Sequence, residues 1–339
     1  MKICVYFQPR TDLDNFEGAR LRKSVKSALE LKNIAYAKNI IDSYNLIHFF
    51  SLDDELKILD ASRDKIPTVY SALLCETDKT TRIFDLKNGE YLADARIRVL
   101  NKIDLILVSD KVSKDALIKQ GITSKIEIVP VGVKISRFYL KDCFEDDLFN
   151  KHFQIDDSTR FVVTIGTYED KDKFESLMKI AALCPQYTFF YFGMTRKKKK
   201  PYKNKRIPSN LRFYPLADEE LYVSMLKKAA LYLSFDNRRH NPITLLDVAA
   251  SKTQIVAMAP LYPNEEILKQ MDPYIGKDEE EVAALITNLM EDKLPLRVEK
   301  AFKVAQENSI DKLRDKLVDL YEKLIKEKAK NDWSKTNYW

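Results

Sequence analysis

The sequence predicts an α/β protein built as two doubly wound parallel sheets in tandem. Three observations carry that prediction. The chain is 339 residues long, more than one ordinary hydrophobic core organises, so two domains are the prior. Short apolar runs alternate with amphipathic helical stretches along the chain, the pattern of βαβ units in a parallel sheet. The pattern weakens between Arg137 and Thr159, where acid accumulates (K-D-C-F-E-D-D-L), and this marks the interdomain region.

The elements justify themselves in order. Lys2–Phe7 is apolar and short, a first strand. From Phe16 to Lys32 the residues Leu21, Val25, Ala28 and Leu29 recur at helical spacing, with Arg20, Arg22, Lys23 and Lys26 around them. Asn45–Ser51 reads as a buried strand, and His48 inside it as a packed or hydrogen-bonded core residue. Pro67–Leu74, Asp104–Ser109 and Ile126–Val133 are further strands, with a helix at Lys111–Gln120. The second series runs strand Phe161–Gly166, helix Lys173–Leu183, strand Tyr187–Phe192, helix Asp218–Ala230, strand Ala229–Leu233, helix Pro242–Ser251 and strand Gln254–Ala259. Last, Ile310, Leu313, Leu317, Leu320, Tyr321 and Leu324 form the stripe of a long amphipathic packing helix over Ile310–Ile325.

The stretch Ser234–Ser251 (S-F-D-N-R-R-H-N-P-I-T-L-L-D-V-A-A-S) organises the functional reading. A strand, a polar loop and a helix start with Pro in its first turn aim free N–H groups and the positive end of the dipole at an anion. Such a helix end contributes about 1 kcal/mol, and up to about 2 where partly buried. Arg238, Arg239 and His240 suit a phosphate. A solvated loop capping a core helix is the plainer alternative. Tandem sheets of this Rossmann-like kind usually hold a ligand at the carboxyl ends of their strands, in the cleft between domains.

Composition excludes other classes. Hydrophobic residues make up 45% and charged residues 32%, a globular balance, and no apolar stretch reaches eighteen residues. The N-terminal apolar run is too short for a signal peptide. Cys4, Cys75, Cys143 and Cys184 lack paired spacing, which fits a reducing cytosol without disulfides or a zinc site, and the three His are scattered. Asp12-Leu13-Asp14 and Asp170-Lys171-Asp172 have a metal-holding Asp-x-Asp form without its usual context, so no metal or other cofactor is expected. No Walker loop, G-x-G-x-x-G or G-x-S-x-G occurs.

Three pieces of the second half carry a family resemblance: F-V-V-T-I-G-T-Y-E-D-K-D-K-F at Phe161–Phe174, Y-F-G-M at Tyr191–Met194, and A-D-E-E-L-Y-V-S-M-L-K-K-A-A-L-Y-L-S-F-D leading into the loop. They resemble the donor domain of glycosyltransferase family four, which has the two-domain GT-B fold. In the first half, Glu17-Gly18-Ala19-Arg20 sits where that family has a Gly-rich loop, and Pro130–Val133 (P-V-G-V) resembles its P-N-G-V. Within the family the chain is most similar to small bacterial enzymes that glycosylate diacylglycerol lipids. The resemblance implies an acceptor-side Rossmann-like domain over 1–135, a nucleotide-sugar domain over 136–309, and a helix and tail over 310–339 that cross back onto the first domain. It implies retaining hexosyl transfer from a UDP-sugar or similar donor. Asp247 and Arg239 are then the catalytic candidates. The donor site draws on Gly166, Thr167, Lys171, Lys173, Gly193, Asp236, Thr244 and Leu245, and the acceptor side on Gly18, Arg20, Ser71 and Glu76. Lys171, Lys173 and Arg239 would neutralise the diphosphate, and Asp247 would accept hydrogen bonds from ribose or sugar hydroxyls.

The sequence also departs from the family. Its pattern of a Glu, seven residues and a second Glu is here Arg239 and Asp247, and its active-site His is replaced by the Ser71–Leu73 neighbourhood. The chain has only 7 Gly. These departures keep a second reading open: a catalytically inactive GT-B subunit that binds and positions an active glycosyltransferase partner. Finally, eight of the eleven residues in Arg196–Arg206 are basic, including Arg196, Lys197, Lys198, Lys199 and Lys200. On an anionic lipid surface each contributes on the order of 1 kcal/mol. A peripheral place on the cytoplasmic face of the cell membrane follows, with a lipid or cell-envelope acceptor. No nucleic-acid module surrounds the run, so nucleic acid is not an expected partner.

Overall fold

The structure is a computed structural model, and it describes residues 1–6, 17–37, 39–50, 55–71, 94–139, 147–167, 171–194, 206–215, 218–235, 242–261 and 265–336. Two compact units emerge, one from Met1–Lys134 with Glu307–Trp339, the other from Ile135–Asn237 and Pro242–Gln306.

The first unit comprises β1 (Lys2–Tyr6), α1 (Glu17–Glu30), β2 (Ala35–Ala37), β3 (Leu46–Phe49), α2 (Glu55–Arg63), β4 (Thr68–Ser71), α3 (Asp94–Leu100), β5 (Leu105–Val108), α4 (Lys111–Lys119) and β6 (Lys125–Ile128). Its strands form one parallel sheet in the order β2-β1-β3-β4-β5-β6. Strands β3, β4 and β5 are buried along their whole length, as expected of a sheet covered on both faces. On one face, Val25, Ala28 and Leu29 of α1 meet Ile3, Val5 and Leu46 of the sheet.

The second unit comprises α5 (Leu148–Phe153), β7 (Phe161–Thr167), α6 (Lys171–Leu183), β8 (Thr188–Met194), β9 (Leu211–Pro215), α7 (Glu219–Lys228), β10 (Leu231–Ser234), α8 (Ile243–Ala250), β11 (Gln254–Met258), α9 (Glu265–Met271), β12 (Tyr274–Gly276), α10 (Glu279–Met290) and α11 (Val298–Glu307). Its sheet is also parallel and six-stranded, ordered β12-β11-β10-β7-β8-β9. The stretch read as the interdomain region is more than a linker. It contains α5, whose Phe149 is fully buried and stacks on Phe161 at 5.0 Å, with Phe190 edge-on at 5.3 Å. Burying one such ring stabilises by roughly 1.5–3 kcal/mol. A six-residue helix gives too short a period to stand out in sequence.

The helix α12 (Ile310–Thr336) returns the chain to the first unit. All six residues of its predicted stripe are buried, packing with Ile3, Val5 and Leu105, and the helix runs on past the expected end at Ile325. Its entry is fixed by backbone pairing. Gly132 N–H and Val133 N–H donate to Asn308 O at 3.0 and 2.8 Å, and Ile310 N–H donates to Val133 O at 2.9 Å. Gly132 has φ +87°, and an added Cβ there would collide with Leu313 Cδ2. The P-V-G-V segment therefore needs its glycine for α12 to dock. The predicted two-sheet α/β architecture with a returning C-terminal helix is the one observed.

Candidate functional site

Strand order locates the candidate sites before any side chain is considered. In the second unit β8 and β9 extend the sheet to one side of β7, while β10 and β11 extend it to the other. The order in which strands are added reverses between β7 and β10, the switch point at which open α/β sheets bind ligands beyond the strand ends. Gly166, next to last in β7, is in register with Gly193 on β8, and α8 follows β10. Gly166, Gly193 and the first turn of α8 with Thr244 and Leu245 thus share the carboxyl edge of one sheet. In the first unit the reversal falls between β1 and β3. Gly18 and Arg20 lie in the first turns of α1, after β1, and Ser71 ends β4 at the same edge.

Helix α8 (I-T-L-L-D-V-A-A) is buried at all eight positions. Its N-cap is Pro242, which offers no capping side chain. Among these apolar residues Asp247 is 2% exposed, and a carboxylate so placed must be paired. Arg137 Nη2 pairs with its Oδ1, and Tyr222 Oη donates to its Oδ2 at 3.0 Å. Arg137 Nη1 lies 3.7 Å from Glu219 Oε1, and the guanidinium sits 5.7 Å from the Tyr222 ring centroid. The hydrogen bonds expected from ribose or sugar hydroxyls therefore meet competition: both Asp247 oxygens already have partners inside the unit.

Other motif residues acquire local reasons. Asp218 of D-E-E-L caps α7, accepting from Leu221 N–H at 2.9 Å, while Glu219 and Glu220 complement the dipole. A Cβ at residue 166 would lie 2.6 Å from Tyr191 Oη, so that glycine admits the tyrosine. Lys173 is part-buried on α6. Thr167 and Lys171 are placed by backbone, at the end of β7 and the start of α6. On the acceptor side, Ser71 Oγ is 2.7 Å from His48 Nε2, and His48 Nδ1 is 2.5 Å from Tyr321 Oη. His48 is fully buried, which depresses its pKa to about 3 and keeps the ring neutral. Arg239, Asp236, Glu76 and the run Arg196–Lys200 lie outside the described residues.

Sequence reasoning missed Arg137 and Tyr222. A lone carboxylate in an apolar helix signals that a cation must exist, but 57 Lys and Arg compete for the part. Among the described residues, no group of three or more His, Cys, Asp or Glu is arranged to hold a metal ion. Nor is any helix there long and apolar enough to cross a membrane.

Known proteins agree with this layout. No protein-family model matches the chain. It is 23% identical over 341 residues to the processive diacylglycerol alpha-glucosyltransferase of Acholeplasma laidlawii, covering 96% of this chain and 99% of that protein. Among solved structures, Anabaena HepE in complex with UDP superposes with a TM-score of 0.71 at 13% identity, over 95% of this chain and all of that one. A glycosyltransferase from Rickettsia africae gives 0.62 at 12% identity, over 96% and 98%. The fold is GT-B, and the chain is similar along its whole length to a glycosyltransferase. The enzyme class is glycosyltransferase.

Proposed function

We propose that the protein transfers a sugar from a UDP-sugar to a lipid acceptor at the cytoplasmic face of an anionic membrane. The observation that carries this reading is the end-to-end similarity to a diacylglycerol glucosyltransferase on a GT-B fold. The UDP moiety would sit at the carboxyl edge of the second sheet. There the first turn of α8, Lys171, Lys173 and Arg239 would offset the charge developing on the diphosphate. A guanidinium at residue 239 is donor-only, so it serves phosphate and not sugar hydroxyls. Gly18, Arg20 and Glu76 would face the acceptor, whereas Ser71 is buried against His48, and transfer would be retaining. Cationic side chains and amides supply the charge neutralisation, so transfer needs no bound metal. The inactive-subunit reading has only Arg239 and the missing His in its favour, and the similar proteins named above do not favour it.

The test is transfer of label from UDP-glucose and other UDP-sugars into diacylglycerol presented in anionic or neutral vesicles. Transfer should require the anionic vesicles, weaken with salt and survive chelation of divalent ions. Serine at Lys197, Lys198, Lys199 and Lys200 should reduce vesicle binding with the melting temperature unchanged. Absence of transfer from every UDP-sugar by folded protein would return the inactive subunit to the front.

A further inference from the structure

We propose that Arg137 is a positioning residue of the donor site, acting through Asp247 to hold α8, and that Asp247 serves the helix and not the hydroxyls of the donor. The inference rests on the UDP-sugar reading above. Arg137 lies on a short 3-10 turn, Ile135–Phe138, just after the chain leaves the first unit. Its side chain is only 15% exposed. One guanidinium nitrogen holds Asp247 Oδ1, a second approaches Glu219, and the Tyr222 hydroxyl holds Asp247 Oδ2. Two residues on, Tyr139 Oη donates to Ala250 O at 2.8 Å. One segment of three residues therefore grips α8 at its middle and at its last carbonyl.

That grip matters because of what α8 otherwise lacks. Seven of its eight residues carry no charge, and its N-cap side chain makes no hydrogen bond. Apolar packing tolerates small slides and rotations, whereas a charge-assisted hydrogen bond fixes direction as well as distance. Asp247 is one turn beyond Thr244, so fixing the carboxylate fixes the rotation of the first turn. Amide donors aimed at a diphosphate depend on that placement, and an error of about 1 Å can cost on the order of a hundredfold in rate. Asp247, 2% exposed and with a partner on each oxygen, lacks the access that a ribose hydroxyl needs.

Calorimetric titration separates the two roles of Asp247. Wild type, Asp247→Asn, Arg137→Gln and the double variant are each titrated with UDP, its 2′- and 3′-deoxy analogues and UDP-glucose. Each single variant should weaken UDP about tenfold, within what a misplaced helix terminus can lose. The deoxy analogues and UDP-glucose should fall by the same factor, and the double variant should bind no worse than either single. Loss confined to UDP and UDP-glucose, with one deoxy analogue spared, would place Asp247 on the ribose and overturn the inference. An unchanged UDP affinity in Arg137→Gln, with only a lower melting temperature, would also overturn it, since it would leave Arg137 a purely structural part. Where a single variant fails to fold, the pair Arg137→Met with Asp247→Leu restores an uncharged core. It should fold and bind all four ligands more weakly than wild type by one common factor; a ligand-selective loss overturns the inference here too. If wild type binds no UDP, the donor reading fails and this inference falls with it, whereas a ribose-selective loss sinks this inference alone.

Discussion

Val133 and Arg137 are four residues apart and lie on opposite sides of the unit boundary, yet opposite chemistry holds them. On the first side, Gly132 and Val133 pair by backbone with Asn308 and Ile310, and α12 docks through an apolar stripe. Its fully buried polar contact is an uncharged one, Tyr321 to His48 to Ser71, while its one ion pair to the sheet among the described residues, Lys328 to Asp104 at 2.8 Å, is partly exposed. On the second side, Arg137 is held by a buried carboxylate and an aromatic ring. A mainly apolar, shape-based attachment suits a helix with no site to aim. A charged attachment adds little net stability once desolvation is counted, but removing one partner is costly, so it enforces one geometry. The second unit has the attachment that specifies direction.

The largest expected effect tests the shape-based side. Gly132→Ala places a Cβ against Leu313 Cδ2 at a backbone with φ +87°. Left-handed backbone costs an L-residue about 1–2 kcal/mol, and overpacking adds about 1–3 kcal/mol. Gly121 has nearly the same φ, +88°, but nothing within 4 Å of an added Cβ, so Gly121→Ala should carry only the backbone share of about 1–2 kcal/mol. Urea unfolding of the two variants isolates the α12 contact. Equal losses would mean that the close approach contributes nothing.

These contrasts also show what the sequence could reveal. The apolar stripe of α12 was legible because six residues share a 3.6-residue period over four turns, and all six are buried. The alternation that predicts both sheets is legible for the same reason. The six residues of α5 carry no such period, and only the sheet they cover reveals why Phe149 is there. In the candidate site, residues belonging to a contiguous motif, such as Gly166 or Asp247, could be picked out. Arg137 could not, because its partner is 110 positions away and pairing between distant charges leaves no local pattern. Gly166 also answers a local need that its motif did not show: an added Cβ there would lie 2.6 Å from Tyr191 Oη.

A smaller effect tests the neutral network itself. Burial holds the His48 pKa near 3, against an unfolded value of about 6.5. Between those values the unfolded chain binds a proton that the folded chain refuses. Stability is therefore lost as pH falls from about 6.5 toward about 3, by at most about 1.4 kcal/mol per pH unit from this residue. His48→Asn should be less stable at pH 7, with His48 Nε2 and Nδ1 no longer matched to Ser71 and Tyr321, but its stability should depend less steeply on pH between 6.5 and 4.5. Parallel slopes for the two proteins would show that His48 titrates normally and that the network is not closed to protons.

The smallest effect sharpens the comparison within the second unit, where two arginines do different work. Arg160 donates from Nη1 to Met290 O at 2.6 Å and from Nη2 to Leu289 O at 3.2 Å, closing the carbonyl end of α10. Its Nη1 also meets Asp292 Oδ1 at 2.9 Å, but that carboxylate is 81% exposed. An exposed pair contributes little and is screened by salt, whereas hydrogen bonds to the last carbonyls of a helix reach groups left outside its own i→i−4 ladder. Arg160→Met should therefore cost about 1 kcal/mol, and Asp292→Asn should leave the unfolding midpoint unchanged. The Arg160→Met loss should be the same in low and high salt, because carbonyl contacts do not depend on the distant ionic atmosphere. If Asp292→Asn costs as much as Arg160→Met, and both losses vanish in high salt, then Arg160 is held by charge as Arg137 is, and the contrast between a capping arginine and a positioning one disappears.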